Sequence, residues 1–280
     1  MTFFLRAKFH VLLSLLTFLL LSVEIYAQAP LISYPTPQTF PGGIPIKPLT
    51  PSNSGGGFPA SQYKQVSTFV ANFTGTNGLV SDGAGNFYVA DVNAHSIDKV
   101  TANGTVTTVV HDSTTTYQIA VDPAGNLYFT DYTNNLVLKA TPGGVVTVLA
   151  KNTHFHGPSG IALDAQGNLY VTDLNRVIKI SPAGAVTTLA GNLTAGGADG
   201  TGTAATFNGP HALVVDNTGN VWVADYHTCA VREITPGGVV TTFSGYGESG
   251  ANDGGPKVAQ FRHLSGICLD ENNNLYVSDG

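Results

Sequence analysis

Five segments of this chain align without a gap: GLVSDGAGNFYVAD (78–91), QIAVDPAGNLYFTD (118–131), GIALDAQGNLYVTD (160–173), ALVVDNTGNVWVAD (212–225) and GICLDENNNLYVSD (266–279). In each, two aspartates stand nine residues apart: Asp82/Asp91, Asp122/Asp131, Asp164/Asp173, Asp216/Asp225 and Asp270/Asp279. A second motif follows the first four, as IDKVTANGTVTTVV, VLKATPGGVVTVLA, VIKISPAGAVTTLA and VREITPGGVVTTFS. Self-similarity at such a period means stacked copies of one supersecondary unit, which cannot bury its apolar face alone.

Each copy reads as four short strands. Strand a (Ala212 to Val215 in the fourth copy) is almost wholly apolar and is expected to be buried on both faces. The D-x-x-G-N turn follows: Asp accepts hydrogen bonds from backbone N–H groups ahead of it, and Gly and Asn tolerate left-handed backbone. Strand b (Val221 to Ala224) carries bulky β-formers, and strand c (Val231 to Ile234) alternates apolar and charged residues, the pattern of a half-exposed strand. T-P-G-G makes the next hairpin, and strand d (Val239 to Phe243) is the Thr-rich outer strand. Four antiparallel strands per repeat of about 40 residues is the blade of a β-propeller, so the fold class is all-β.

Successive strand-a aspartates are 40, 42, 52 and 54 residues apart. The extra residues fall in the last two d-to-a connections, GNLTAGGADGTGTAATFNGPH and GYGESGANDGGPKVAQFRHLS, where Asp199/Phe207 and Asp253/Phe261 share an eight-residue spacing. Phe73, Phe155, Phe207 and Phe261 each stand nine residues before a strand-a aspartate, and Ser113 takes that place in the second copy. An aromatic recurring there is expected to wedge between adjacent blades. Gln65 to Val70 (QVSTFV) matches strand d but precedes the first strand a, and the chain ends at Gly280 just after a strand b. A propeller has no open edge once an N-terminal strand completes its last blade. The chain therefore reads as truncated: about four and a half blades plus one closing strand of a six-bladed ring.

The segments before the repeats differ in kind. Arg6 and Lys8, the apolar run Val11 to Val23 and the small residues around Ala27 have the order of a signal peptide cut after Ala27, which predicts export to the periplasm, the cell surface or the medium. The apolar run is 13 residues, short of the roughly 20 of a membrane-spanning helix, so no span is expected after cleavage. Residues 28–60 are rich in proline and end in a glycine run, a linker composition, and residues 61–280 form the propeller. The net charge is −6 with no basic run after residue 10, which disfavours nucleic acid as a partner. Cys229 and Cys268 are read as two free, part-buried thiols on strands of neighbouring repeats, with a disulfide as the alternative.

The repeats resemble those of the NHL-repeat family, whose units run (P-x-G)-I-A-V-D-x-x-G-N-V-Y-V-A-D followed by an R-I-x-K-I-type strand. The resemblance covers about residues 64–280 and recurs five times in register. It implies a six-bladed, TolB-like propeller, and the A-D-G-T-G-T-A-A-T-F-N-G-P loop is similar to loops of secreted bacterial members. Members range from interaction domains to a zinc-dependent lyase, with lactonase and streptogramin-lyase propellers nearby, so the resemblance implies a fold and leaves the activity open.

Candidate chemistry clusters at one end of the expected channel. The residue five before each strand-a aspartate forms a ring, Asn77, Tyr117, Ser159, His211 and Ser265, with Tyr132, Tyr226, His227 and His95 on the b-to-c loops above it. Such a ring suits a protein, peptide or glycan ligand, and the leading expectation is a non-catalytic binding scaffold. The alternative is a metal-dependent lyase or lactonase centred on His211, whose Gly209-Pro210-His211-Ala212-Leu213 context resembles that of a zinc ligand in lyase relatives. Zinc takes about three protein ligands, yet the aligned positions hold Asn, Tyr, Ser and Ser, and His154, His156 and His263 are out of register. No cofactor is expected, with calcium or zinc as the alternatives. The weak metal candidates are His211 and the loop acids Asp199, Asp253 and Glu248, while the ten repeat aspartates are expected to cap turns. Asn72, Asn103 and Asn192 stand in N-x-[ST] sequons.

Overall fold

The computed structural model describes residues 69–70, 72–111, 116–151, 155–245, 247 and 249–280, together with the backbone of four short strands nearer the N-terminus. The chain divides into two units, Met1–Phe69 and Val70–Gly280. In the first, β1 (Phe4–Phe9) pairs with β2 (Val23–Gln28), and β3 (Ile32–Ser33) with β4 (Ser52–Asn53). The rest of the expected signal segment 1–27 and linker 28–60 lies outside the described residues, as do residues 65–68 of the QVSTFV segment, Ser113, His154 and Glu248. Among the described residues no helix is long and apolar enough to cross a membrane.

The second unit is a β-propeller. Its first blade is β5 (Thr76–Ser81), β6 (Phe87–Asp91), β7 (Ser96–Val100) and β8 (Val106–His111); its second is β9 (Thr116–Val121), β10 (Leu127–Asp131), β11 (Leu136–Ala140) and β12 (Val146–Ala150). The third is β13 (Pro158–Leu163), β14 (Leu169–Asp173), β15 (Arg176–Ile180) and β16 (Val186–Gly191). The first long loop contributes β17 (Gly200–Thr201), which adds an outer fifth strand to the fourth blade of β18 (Pro210–Val215), β19 (Val221–Asp225), β20 (Ala230–Ile234) and β21 (Val239–Ser244). β22 (Leu264–Leu269) and β23 (Leu275–Asp279) begin a fifth. Every pairing between the blade strands is antiparallel, and the innermost strands β5, β9, β13, β18 and β22 pack side by side in sequence.

The recurring turn explains the repeat. In all five copies the strand-a aspartate uses one carboxylate oxygen to accept the N–H groups two and four residues on, and the other to accept the Asn side chain at the fourth position. The residue between must have positive φ: Gly167 has φ +83°, and in the fifth copy Asn273 takes the place at +61°. The second aspartate of each copy closes strand b, and in four copies it receives the backbone arriving from the preceding loop. Asp91 accepts from Thr74, Asp173 from His156, Asp225 from Asn208 and Asp279 from Arg262 and His263, while Asp131 accepts from Asn134. These ten carboxylates are turn and end caps, as expected.

The turn carboxylates also make stability depend on pH. At Asp82 and Asp270 the Asn side-chain hydrogen bond dominates and holds the carboxyl below its ordinary value of 3.8. At Asp122, Asp164 and Asp216 burial pushes upward most strongly, and the hydrogen bonds together outweigh it, so these too are lowered. A carboxyl lowered on folding contributes stability that is fully present above its unfolded value and is lost as pH falls through the folded one. The thermal unfolding midpoint is therefore expected to fall once the pH drops below about 3.8, the ordinary carboxyl value. Asp164→Ala, which strands the amides of Gln166 and Asn168 and the Tyr170 hydroxyl, should cost about 1–2 kcal/mol at neutral pH and flatten that acid limb. Melts across an acid pH series check both; an unchanged limb in the variant would contradict the assignment.

Burial corrects two expectations. Strand a is only partly buried, with pattern BiBBii in β18, because it borders the channel; strand b is the most buried, all five residues of β14 being inside. Strand c is not half-exposed: only two residues of β15 and one of β20 are partly exposed, and Arg232, the charged residue expected outside, is completely buried. The blades pack face to face on strands b and c, so both of their faces meet neighbours. Strand d is outermost in the first three blades, lies beneath β17 in the fourth, and is mostly exposed, as its Thr-rich composition predicts.

Both cysteines are free. Cys229 is buried but stands in the b-to-c turn at φ +53°, not on a strand, its thiol donating to the Arg262 carbonyl at 2.7 Å; Cys268 is exposed. Burial, with the charges of Asp279 and Asp225, pushes the Cys229 thiol up, which disfavours the reactive thiolate.

Candidate functional site

The five ring positions share a backbone device that the sequence does not advertise. In every copy the a–b pairing slips where the ring residue sits: Pro210 pairs with Asp225 but Ala212 with Ala224, leaving His211 in the bulge. The slip falls between Leu264 and Gly266 around Ser265, between Pro158 and Ile161 around Ser159, and between Thr76 and Leu79 around Asn77. The pairing β9–β10 slips in the same place, near Tyr117. A bulge re-aims a side chain away from the pleat, so the ring is a property of the repeat.

Six expected site residues line one cleft of about 380 Å3: Tyr117, Tyr132, Ser159, His211, Tyr226 and His227. They come from the second, third and fourth blades. Two glycines let the rings lie on the backbone. A Cβ on Gly157 would come within 3.0 Å of the Tyr132 ring, and one on Gly209 within 2.8 Å of the His227 imidazole; both glycines have positive φ. That is the physical content of the Gly-Pro pairs that open β13 and β18. Tyr117 and Tyr132 pack with ring centroids 5.0 Å apart. Tyr226 sits among imidazoles: His263 stacks on it at 4.6 Å, His227 meets it edge-on at 4.8 Å, and His211 lies 6.0 Å away.

Within this group Ser159 is buried: its hydroxyl bonds Thr172 Oγ1 at 2.9 Å and the His211 carbonyl at 3.4 Å, the second tying the third blade to the His211 strand. The other expected residues lie apart from the cleft lining. Ser265 contributes its carbonyl, which bonds His211 Nδ1 at 2.9 Å and fixes the imidazole across to the fifth blade. That leaves Nε2 as the ring nitrogen available to a further partner. Asn77 and His95 are exposed and lie outside the cleft lining.

The metal candidates do not converge. Among the described residues no three His, Cys, Asp or Glu side chains gather as an ion would need. Asp199 is engaged by Arg232 Nη2 and by Thr242 Oγ1, both at 2.9 Å, and Asp253 is exposed in the second long loop. Glu248 is outside the described residues. Among the described residues, His211 therefore has no second and third side-chain ligand beside it.

Three functional neighbours escaped the register argument. His156, out of register in sequence, lines the cleft because its N–H caps Asp173 at 2.6 Å and its Nδ1 meets Arg176 Nη2 at 3.2 Å. His263 reaches Tyr226 by the corresponding cap on Asp279. The shared signal is the residue one or two after each wedge phenylalanine, Phe155 and Phe261, which always lands beside the strand-b aspartate. The third is Arg232, whose guanidinium bonds Asp225 Oδ2 at 3.3 Å, Asp199 Oδ1 at 2.9 Å and the carbonyls of Thr206 and Ala198 at 3.1 Å each. Despite that neighbour, burial keeps the Asp225 carboxyl raised.

Known structures share this fold. An auxiliary nutrient binding protein from Bacteroides ovatus superposes with a TM-score of 0.65 at 22% identity, over 75% of this chain and 57% of that one. Virginiamycin B lyase from Staphylococcus aureus does so with a TM-score of 0.55 at 16% identity, over 74% of this chain and 64% of that one. In sequence, 85 residues are 29% identical to the chloroplastic protein SUPPRESSOR OF QUENCHING 1 of Arabidopsis thaliana, which is 30% of this chain and 8% of that protein. The chain thus spans little more than half the length of the first structure and a small part of the plant protein. Residues 64–249, most of the repeated region, match the model of the virginiamycin B lyase family, and this chain belongs to that family.

Proposed function

We propose that this chain is an exported propeller of the NHL-repeat type that acts as a binding scaffold, taking a protein, peptide or glycan on its loop face. The observation that carries this reading is the aromatic cleft: rings from two blades, Tyr117, Tyr132 and Tyr226, line about 380 Å3 together with three imidazoles. That volume falls within the roughly 300–1,000 Å3 of small-ligand sites, which combine apolar walls with a few placed polar groups. Tyrosine presents a large rigid face at low entropic cost and is favoured where ligands dock. The Bacteroides ovatus propeller described as nutrient binding is consistent with it. Export rests on the N-terminal segment, with its basic start, apolar run and small residues around Ala27.

A second reading follows from the family: a lyase- or lactonase-type enzyme with a metal at the channel mouth beside His211. It is favoured by His211 being held through Nδ1 with Nε2 left over. One experiment separates the two. The purified protein is assayed for bound metal and screened against peptide and glycan arrays, alongside Tyr226→Ala and His211→Ala. The scaffold reading expects array ligands whose affinity falls about tenfold or more in Tyr226→Ala, the loss of one aromatic anchor. Stoichiometric metal that disappears in His211→Ala would overturn it in favour of the enzyme.

A further inference from the structure

We infer that the aromatic cleft is one half of a longer groove for a neutral oligosaccharide, and that its second half is the cavity between the two long loops, built on the Asp199 carboxylate. This rests on the reading that the loop face binds a ligand. The second cavity measures about 580 Å3 and lies between Asp199 of the first long loop, Thr242 of β21 and Lys257 of the second long loop. His227 lines both cavities, so the two meet at one exposed imidazole.

Asp199 is a prepared acceptor. Its Oδ1 is held at 2.9 Å by Arg232 Nη2 from beneath and at 2.9 Å by Thr242 Oγ1, while half of the side chain (51%) remains open. Burial pushes its carboxyl upward, but the hydrogen bonds from Thr242 and Arg232 outweigh this and keep it a carboxylate. Arg232 lines the same cavity, is fully buried, and its Nε has no acceptor among the described residues. The guanidinium is held by its Nη bonds to Asp225, Asp199, Thr206 and Ala198, and a carboxylate held this way accepts hydroxyl donors without first losing side-chain freedom.

The charges select the ligand class. Arg232 is matched by Asp225 and Asp199, so an anionic group would meet the Asp199 carboxylate with only the Lys257 ammonium to offset it. A cation at the open side of Asp199 would meet the Lys257 ammonium that lines the same cavity. A neutral polyol meets neither repulsion: its hydroxyls donate to Asp199 and accept from the Lys257 ammonium. In the adjoining cleft the tyrosine faces suit the apolar C–H face of a sugar ring, which a hydroxyl-rich chain presents at intervals. A ligand crossing His227 would therefore meet stacking surfaces on one side and a fixed carboxylate on the other.

The test uses the full chain, titrated with glucose oligomers of α-1,4, β-1,3 and β-1,4 linkage from the monosaccharide to the hexasaccharide. In at least one linkage series, affinity is expected to rise about tenfold or more between the disaccharide and the hexasaccharide, as the second cavity is reached. Asp199→Asn should reduce the hexasaccharide to the affinity of the disaccharide. Lys257→Ala, at the rim and remote from the folded interior, should remove part of the same increment, so the result does not hinge on how Asp199→Asn folds. Affinity that does not grow with length, or a hexasaccharide indifferent to both changes, overturns the two-part groove and leaves the scaffold reading standing. Binding of peptides alone overturns the glycan class. If oligosaccharides bind but Tyr226→Ala leaves every ligand untouched, the aromatic cleft itself is refuted.

Discussion

Phe207→Ala is expected to lower the unfolding free energy by about 3–5 kcal/mol, the range for truncating a fully buried aromatic side chain. Phe207 has no exposed surface and sits in one cluster with Tyr170, Val177 and Ala190 of the third blade and Leu213, Val221 and Val223 of the fourth. It also lies 5.1 Å beneath the Arg232 guanidinium and against the backbone of Gly191, where an added Cβ would come within 2.7 Å of its ring. The surroundings are two sheets that cannot close on the space, so the cavity term adds to the lost transfer energy. Phe155 plays the same part between the second and third blades, and Phe261 is partly buried between the fourth and fifth. Phe73 belongs to none of the clusters and is half-buried, so Phe73→Ala should cost clearly less. Urea denaturation of the two variants measures the difference. A loss below about 1 kcal/mol for Phe207→Ala would mean that the blades do not depend on the wedge.

Arg232→Met should be comparably damaging, by about 3–5 kcal/mol, because it removes one partner from a buried pair and leaves the Asp225 carboxylate enclosed. The same position on the other strands c, paired across to the middle of strand b, holds Asp98, Leu138 and Ile178. An apolar residue is thus acceptable in two blades, and the cost arises from the carboxylates Arg232 serves. Removing the demand should recover stability: Arg232→Met with Asp225→Asn is expected to be more stable than Arg232→Met alone, a coupling that a double-mutant cycle reads directly. The first long loop should also loosen, since Arg232 holds it through the carbonyls of Ala198 and Thr206 and through Asp199. Hydrogen exchange at Gly196 and Thr206, whose amides bond Phe207 and Ala198 within that loop, reports this. An additive cycle with unchanged loop exchange would assign Arg232 no such role.

Most of the architecture could be read from residues close together in the chain. The D-x-x-G-N turn is closed by its own aspartate within four residues, so its signature is local and recurs visibly, even where Asn273 stands in for glycine. The strands, the hairpins and the wedge phenylalanines follow from the same in-register spacing. Strand c was misread for an equally clear reason: alternation signals one solvated face only when the opposite face has no neighbour, and here a second blade covers Arg232.

The site was half legible. Register alone placed Tyr117, Ser159 and His211 at one level, since each falls in the bulge of its own strand a. Which of them keeps its polar group open to the cleft depends on contacts made by residues far apart in sequence. Ser159 turns inward to Thr172, His211 is tethered to a carbonyl 54 residues away, and His156 and His263 are drawn to the mouth by amide caps on aspartates of strand b. The repeat period dictated a propeller and put the ring at one end of it, because turns and strand pairing are short-range. The aromatic cleft, the buried Arg232 and its link to Asp199 exist only where blades and loops meet, since side chains 33 residues apart become partners only after the blades have packed.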